Sequence, residues 1–172
     1  RVGASKPKPE AWAAYVEGVV REYRDVIQHW EIWNEPNNPV FWKPKPDPQE
    51  YMDVLKLAYE AAKRGNPDCT VLMPGLAGPC EGRYGIDFLD ALLEQGAVRY
   101  CDAISVHPYR HGTPEETDLE GDLHHIVEVA ERNGGRRPLW FTEWSWPTQI
   151  PGGSSEERQA RLLARAYVIA LG

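Results

Sequence analysis

The chain has 172 residues, 42% of them hydrophobic, and a formal charge of −7. That length and apolar share support one globular domain with a core of its own. The acidic balance argues against a nucleic acid or an anionic membrane surface as partner, since such binders concentrate Lys and Arg, and a neutral ligand fits better.

Seven Trp and eight Tyr are a generous supply of rings. Most rings pack cores, but a surplus also makes flat platforms for apolar or sugar faces. The three cysteines, Cys69, Cys80 and Cys101, are odd in number and lack C-x-x-C spacing, so neither a disulfide framework nor a zinc site is signalled; one bridge stays open. No apolar run approaches the roughly 20 residues of a membrane helix, and no signal peptide precedes the first helix. The chain opens on Arg1 rather than Met, which suggests a segment upstream. Localisation stays open, with secretion or the periplasm favoured if the full-length protein carries a signal peptide.

In chain order, Pro9 to Arg24 places Trp12, Tyr15, Val16, Val19 and Tyr23 at helical spacing and predicts a helix with one buried face. A strand is expected at about His29 to Trp33, followed by a proline-dense loop and a helix near Gln49 to Arg64 that stops at Gly65 and Pro67. Thr70 to Gly75 reads as a short buried strand, Ile86 to Gln95 as a helix, and Ala103 to Val106 as a strand. Leu123, Ile126, Val127 and Ala130 mark a further helix, and Leu139 to Thr142 a further β-rich run. The last helix is expected to open on the capping-box spacing Ser154-x-x-Glu157. Strands alternating with helices at this interval predict an α/β fold with a parallel sheet, either doubly wound or part of an eight-stranded barrel, in one domain spanning residues 1–172.

Parallel α/β folds place their sites at the carboxyl ends of strands. Two of the four strand ends here terminate in Glu: WEIWNEPN, with Glu35, and PLWFTEWSW, with Glu143. In a closed parallel sheet both carboxylates would face one mouth, the constellation that glycosidic hydrolysis needs, with one carboxyl protonated to donate and the other ionised to attack or to activate water. A carboxyl walled by rings keeps its proton more readily, and Glu35 near Trp30, Trp33 and Trp42 is the candidate for that role. Glu143 could be kept ionised by a donor such as Tyr109. A lone Glu at a strand end is more often a solvated loop residue or an ion-pair partner; it is the pair that carries weight. His107 is by itself more often a satisfied polar residue than a catalytic group. His124 and His125 are adjacent on a helix, do not share a face, and read as surface or boundary residues, so no metal site is expected. Glu31 has the inward parity of Trp33 and would need a cationic partner in an interior.

WEIWNEPN resembles the strand-four motif of clan A glycoside hydrolases, the retaining (β/α)8-barrel enzymes, with Asn-Glu-Pro at its centre. The resemblance implies Glu35 as acid/base and Asn34 as a ligand of the sugar 2-hydroxyl. PLWFTEWSW resembles the strand-seven motif and implies Glu143 as nucleophile; DAISVHPYR is similar to strand six, which implies that His107 and Tyr109 line the cleavage subsite. Gly75 would close strand five. The phrasing is similar to family 39 (xylosidase-like) and family 5 (cellulase-like). The implied architecture is strands four to seven of a (β/α)8 barrel with flanking helices, incomplete as given, with exposed strand edges that invite self-association or a complementary half-barrel.

The first functional expectation is a retaining β-glycosidase acting on a plant-type polysaccharide or oligosaccharide without a cofactor, with Trp33, Trp42, Trp144 and Trp146 shaping the cleft. The alternative is a non-catalytic carbohydrate-binding or self-assembling half-barrel. An unrelated doubly wound binding domain is disfavoured because no Gly-rich phosphate loop follows any strand.

Overall fold

The computed structural model describes residues 6–78, 83–149 and 151–172, so Cys80 lies outside the described residues; Cys69 and Cys101 are buried free thiols. The elements are α1 (Pro9–Glu22), β1 (His29–Glu31), α2 (Pro48–Gly65), β2 (Thr70–Leu72), β3 (Leu76–Ala77), α3 (Arg83–Glu94), a 3-10 turn (Ala97–Tyr100), β4 (Ile104–His107), α4 (Leu119–Arg132), β5 (Leu139–Phe141) and α5 (Glu156–Leu171). This is the alternation predicted from the sequence. The expected strand Thr70 to Gly75 is shortened to β2, and β3 follows it after Met73-Pro74-Gly75, where proline offers no N–H to a ladder.

Local chemistry sets the helix ends. The Asp47 carboxylate accepts from the backbone N–H groups of Gln49 and Glu50, with Pro48 in the first turn, so α2 starts with two otherwise free donors satisfied. At the other end of α2, a Cβ on Gly65 would lie 2.8 Å from the Glu17 carbonyl oxygen and 3.0 Å from Val20 Cβ, so glycine permits close contact with α1. That contact corrects the expected face of α1. Val16 and Val20 are buried and Trp12 is half-buried, whereas Tyr15 and Tyr23 are exposed. The cap of α5 is also shifted by one residue: Ser155 accepts from Arg158 N, while Ser154 N donates back to the Pro147 carbonyl.

All strands pair in parallel. β1 pairs β2 with Trp30 opposite Val71, and single bridges join Leu72 to Ala103 and Asn34 to Gly75. β3 pairs β4 with Leu76 opposite Val106, and β4 pairs β5 with Ser105 opposite Trp140. β2 and β3 thus act as one interrupted strand in a four-strand wall. Side chains alternate across it. Val71, Met73, Leu76, Ile104 and Val106 turn to the helices and join the core, while Ser105 and His107 turn to the inner side.

The wall is strongly curved. In a flat sheet its outermost strands, β1 and β5, would lie three spacings apart, roughly 14 Å. Instead the rings of His29 and Trp140 have centroids 4.9 Å apart, and Thr142 Oγ1 lies 2.9 Å from Glu31 Oε1. Four parallel strands curled this tightly, with helices on the convex side, form part of a (β/α)8 barrel. Among the described residues no helix is long and apolar enough to cross a membrane.

Candidate active site

Glu35 follows a sharp departure from strand geometry. Trp33 and Glu35 have φ of 75° and 43°, a left-handed backbone that costs non-glycine residues about 1–3 kcal/mol each and persists only where neighbours impose it. Several contacts do so. Tyr51 donates to the Ile32 carbonyl at 2.7 Å, Glu35 N donates to the Gly75 carbonyl at 2.9 Å, and the buried Asn37 amide both donates to Ala77 O (2.7 Å) and accepts from Ala77 N (3.0 Å). The loop after β1 is therefore tied to β3.

The Glu35 carboxyl has polar partners. Its Oε1 lies 3.0 Å from His107 Nδ1 and its Oε2 accepts from Asn38 Nδ2 at 3.1 Å. Glu143 leaves β5 one residue beyond Thr142; its Oε2 accepts from the Tyr109 hydroxyl at 3.4 Å and lies 3.7 Å from His107 Nδ1. Glu35, His107 and Glu143 each place one polar atom within 4.8 Å of the other two. The two carboxyls differ in setting, with the Glu35 side chain 13% exposed and that of Glu143 49% exposed. Tyr109 senses the cluster: burial first, then the charge and hydrogen bond of Glu143, raise its phenol above the ordinary range. The three clustered atoms also satisfy the spacing of a cation site.

His107 is fully buried. Its ring occupies the space above Gly75, where an added Cβ would fall 1.9 Å from Nε2. On that side Nε2 lies 3.1 Å from Thr142 Oγ1. Asn34, the expected sugar ligand, sits beside Glu35 and pairs with Gly75 through its backbone. The structure thus gathers Glu35, Glu143, His107 and Tyr109 at the carboxyl ends of three strands, and Asn34 adjoins them.

Of the four tryptophans expected to shape the cleft, Trp42 and Trp146 need correction, while Trp33 and Trp144 are half-buried. Trp42 is fully buried, edge-on to Trp33 and Tyr51, with its indole N–H donating to Glu50. Trp146 is buried and donates to the Gly112 carbonyl. Trp33 stacks edge-on to Trp12 and donates to Phe41 O, and Trp144 packs between Phe141, Trp146 and Tyr167. The rings form two packed clusters that brace the site loops. The polar contacts of Glu35 are the amide and imidazole above. Glu31 is corrected as well: it is exposed on the inner side and accepts from the Thr142 hydroxyl, with no cationic partner among the described residues. Sequence reasoning missed Asn37, Asn38, Ser105 and Thr142. The paired amides directly after Asn-Glu-Pro were the available signal for the first two; inward parity alone pointed to the others. His125, read as a boundary residue, bonds Asp90 of α3 at 3.0 Å.

A cavity of about 510 Å³ lies between α4, α5 and the start of β5, and none of the clustered carboxyls lines it. The cluster sits instead on the open inner face of the sheet.

No protein-family model matches the chain. A β-xylosidase of Geobacillus stearothermophilus is 30% identical over 96 residues, 55% of this chain and 18% of that protein. Among solved structures, a family 39 β-xylosidase from Caulobacter crescentus superposes with a TM-score of 0.64 at 26% identity, over 86% of this chain and 32% of the other. A glucosidase from Croceicoccus marinus gives 0.74 at 23% identity, over 96% and 36%, a likeness of fold. The chain therefore spans less than a fifth of the curated relative and about a third of these structures. The expected likeness to clan A barrel glycosidases is borne out, and of the two families the sequence suggested, family 39 is the one named here.

Proposed function

We propose that this chain carries the catalytic half of a retaining β-glycosidase of xylosidase type, with Glu35 as acid/base and Glu143 as nucleophile. One observation carries the reading: two carboxyls 108 positions apart in the chain meet around a single imidazole, with oxygens within 4.8 Å of each other. Retaining hydrolysis calls for carboxyls about 5 to 5.5 Å apart, whereas inversion calls for roughly 6.5 to 9.5 Å to admit a water. The spacing supports direct attack on the anomeric carbon by one carboxylate while the other protonates the leaving oxygen.

The assignment of roles follows from the settings of the two groups. Glu35, sheltered and hydrogen-bonded to His107, suits a proton donor; the more open Glu143, with the Tyr109 hydroxyl on it, suits an ionised nucleophile. In the first step Glu143 forms a glycosyl ester as Glu35 protonates the departing oxygen. In the second, Glu35 takes a proton from water, which displaces Glu143 and restores the starting anomer. Relatives named as β-xylosidases support a β-linked pentoside as substrate.

The test uses aryl β-xylosides and azide. Glu143→Ala should lose turnover by about 100-fold or more and recover it with azide, giving the α-glycosyl azide; Glu35→Ala with azide should give the β-anomer. Turnover that survives Glu143→Ala unchanged contradicts the reading. A second reading, sugar binding without turnover, draws on the exposed Trp140 ring, which can take a sugar face, with Glu31 beside it. It predicts xylo-oligosaccharide affinity in a chain that never turns over.

A further inference from the structure

The hydroxyl of Thr142 touches three polar groups. Oγ1 lies 2.9 Å from Glu31 Oε1, 2.8 Å from Ser105 Oγ and 3.1 Å from His107 Nε2. A hydroxyl has one proton to give and two lone pairs to receive with. An ionised carboxylate only accepts, so the Thr142 proton belongs to Glu31. Both remaining contacts must then be received by Thr142: Ser105 donates to it, and His107 donates through Nε2–H. The neutral imidazole carries a single ring proton, so Nδ1 is left bare.

Bare Nδ1 faces two carboxyls, Glu35 Oε1 at 3.0 Å and Glu143 Oε2 at 3.7 Å. A lone pair directed at carboxylate oxygens is repulsive unless a proton lies between them. We infer that Glu31, Thr142 and Ser105 are positioning residues that fix His107 as its Nε2–H tautomer and so hold one proton at the junction of His107 and Glu35. The inference deepens the proposed function and rests on it for its catalytic meaning; the tautomer itself does not. Among the described residues, the titratable groups around the imidazole are Glu35 from the end of β1, Glu143 from the end of β5, Tyr109, which reaches Glu143 from the loop after β4, and Glu31 of β1, which acts through Thr142. From the interrupted strand between them Gly75 faces the ring, with no side chain to intrude.

Without the carboxylate at position 31, Thr142 could turn its proton towards Nε2. His107 would then place its own proton on Nδ1, donate to an ionised Glu35, and leave that residue without a proton to give. The barrel wall would look the same, but the acid would start its cycle discharged.

The test is nitrogen NMR on the 172-residue chain with 15N-labelled histidine, the His107 signals being assigned by comparison with His107→Asn. The chemical shifts and one-bond couplings report which ring nitrogen bears hydrogen. Wild type should show Nε2 protonated, with Nδ1 either bare or sharing the junction proton. Thr142→Ser should keep that pattern, while Thr142→Val and Glu31→Ala should shift population to the Nδ1–H form. A wild-type chain with Nδ1–H and bare Nε2 overturns the inference, and so does an unchanged tautomer in folded Thr142→Val or Glu31→Ala. The wild-type measurement needs no variant to fold, and it reads the tautomer whether or not the chain hydrolyses a glycoside, so failure here and failure of the proposed function are separate outcomes.

Discussion

At the scale of single residues, the site depends on how little stands above Gly75. A methyl there would meet His107 Nε2 at 1.9 Å, far inside any tolerated contact, so the imidazole must move. Its bonds to Glu35 and Thr142 would move with it. Gly75→Ala is therefore predicted to lower kcat by about 100-fold, the scale at which a 1 Å misplacement of a reacting group is felt. Steady-state kinetics beside a denaturant melt check it, since overpacking alone costs about 1–3 kcal/mol of stability and leaves kcat intact. This is also where sequence reasoning was most and least informative. Glu35 and Glu143 were legible because a carboxylate ending an apolar strand is chemically conspicuous; His107, read by itself as a satisfied polar residue, was placed at the site only by the resemblance of DAISVHPYR to strand six. Thr142 and Ser105 were not, since a hydroxyl in a strand has no signature until its neighbours across the sheet are known. Trp42 and Trp146 misled because a ring-rich motif serves core bracing and sugar stacking equally well, and only burial separates the two uses.

At the scale of elements, α2 supplies the platform behind the Glu35 loop. Tyr51 on its first turn is buried and holds the Ile32 carbonyl, and Asp47 caps the helix that positions Tyr51. Replacing the cap by alanine removes the acceptor for two backbone N–H groups. Asp47→Ala should cost about 1 kcal/mol of unfolding free energy, within a range of 0.5–2. A urea titration measures it, and a loss of activity larger than the loss of stability would place Asp47 nearer the chemistry than this account does. The helices themselves were readable from apolar spacing and stop signals. Their faces and caps were less so: the close approach at Gly65 selects Val16 and Val20 over Tyr15 and Tyr23, and a backbone bond from Ser154 to Pro147 shifts the cap to Ser155. The first depends on partners more than 40 residues away in sequence, the second on a turn that residue types alone do not specify.

At the scale of the whole molecule, four parallel strands curl until the first and last touch through His29, Trp140, Glu31 and Thr142. Alternation of strands and helices predicted the parallel wall, but curvature comes from contacts between strands more than 100 residues apart and had no local sign. The packed side of the wall carries its own pH signature. Burial, outweighing the opposing pull of Arg137, pushes the Cys101 thiol up to about 12 from an ordinary value of 9.0. A folded-state value above the unfolded one means that the stabilisation is whole below about pH 9 and falls as the pH rises towards 12. Denaturant midpoints should decline across that interval, and less steeply in Cys101→Ala; a midpoint equally steep in both would place the alkaline loss elsewhere.

The measurement closest to the central claim is covalent capture. Incubation with a 2-deoxy-2-fluoro-β-xylosyl inactivator bearing a good leaving group slows the second displacement more than the first, so the glycosyl ester accumulates on the attacking carboxylate. Peptide mapping by mass spectrometry should find one added fluoroxylosyl unit on Glu143, and none in Glu143→Ala. A label on Glu35 or on any other residue, or an unlabelled chain after prolonged exposure, would contradict the pairing of these two carboxyls as catalyst.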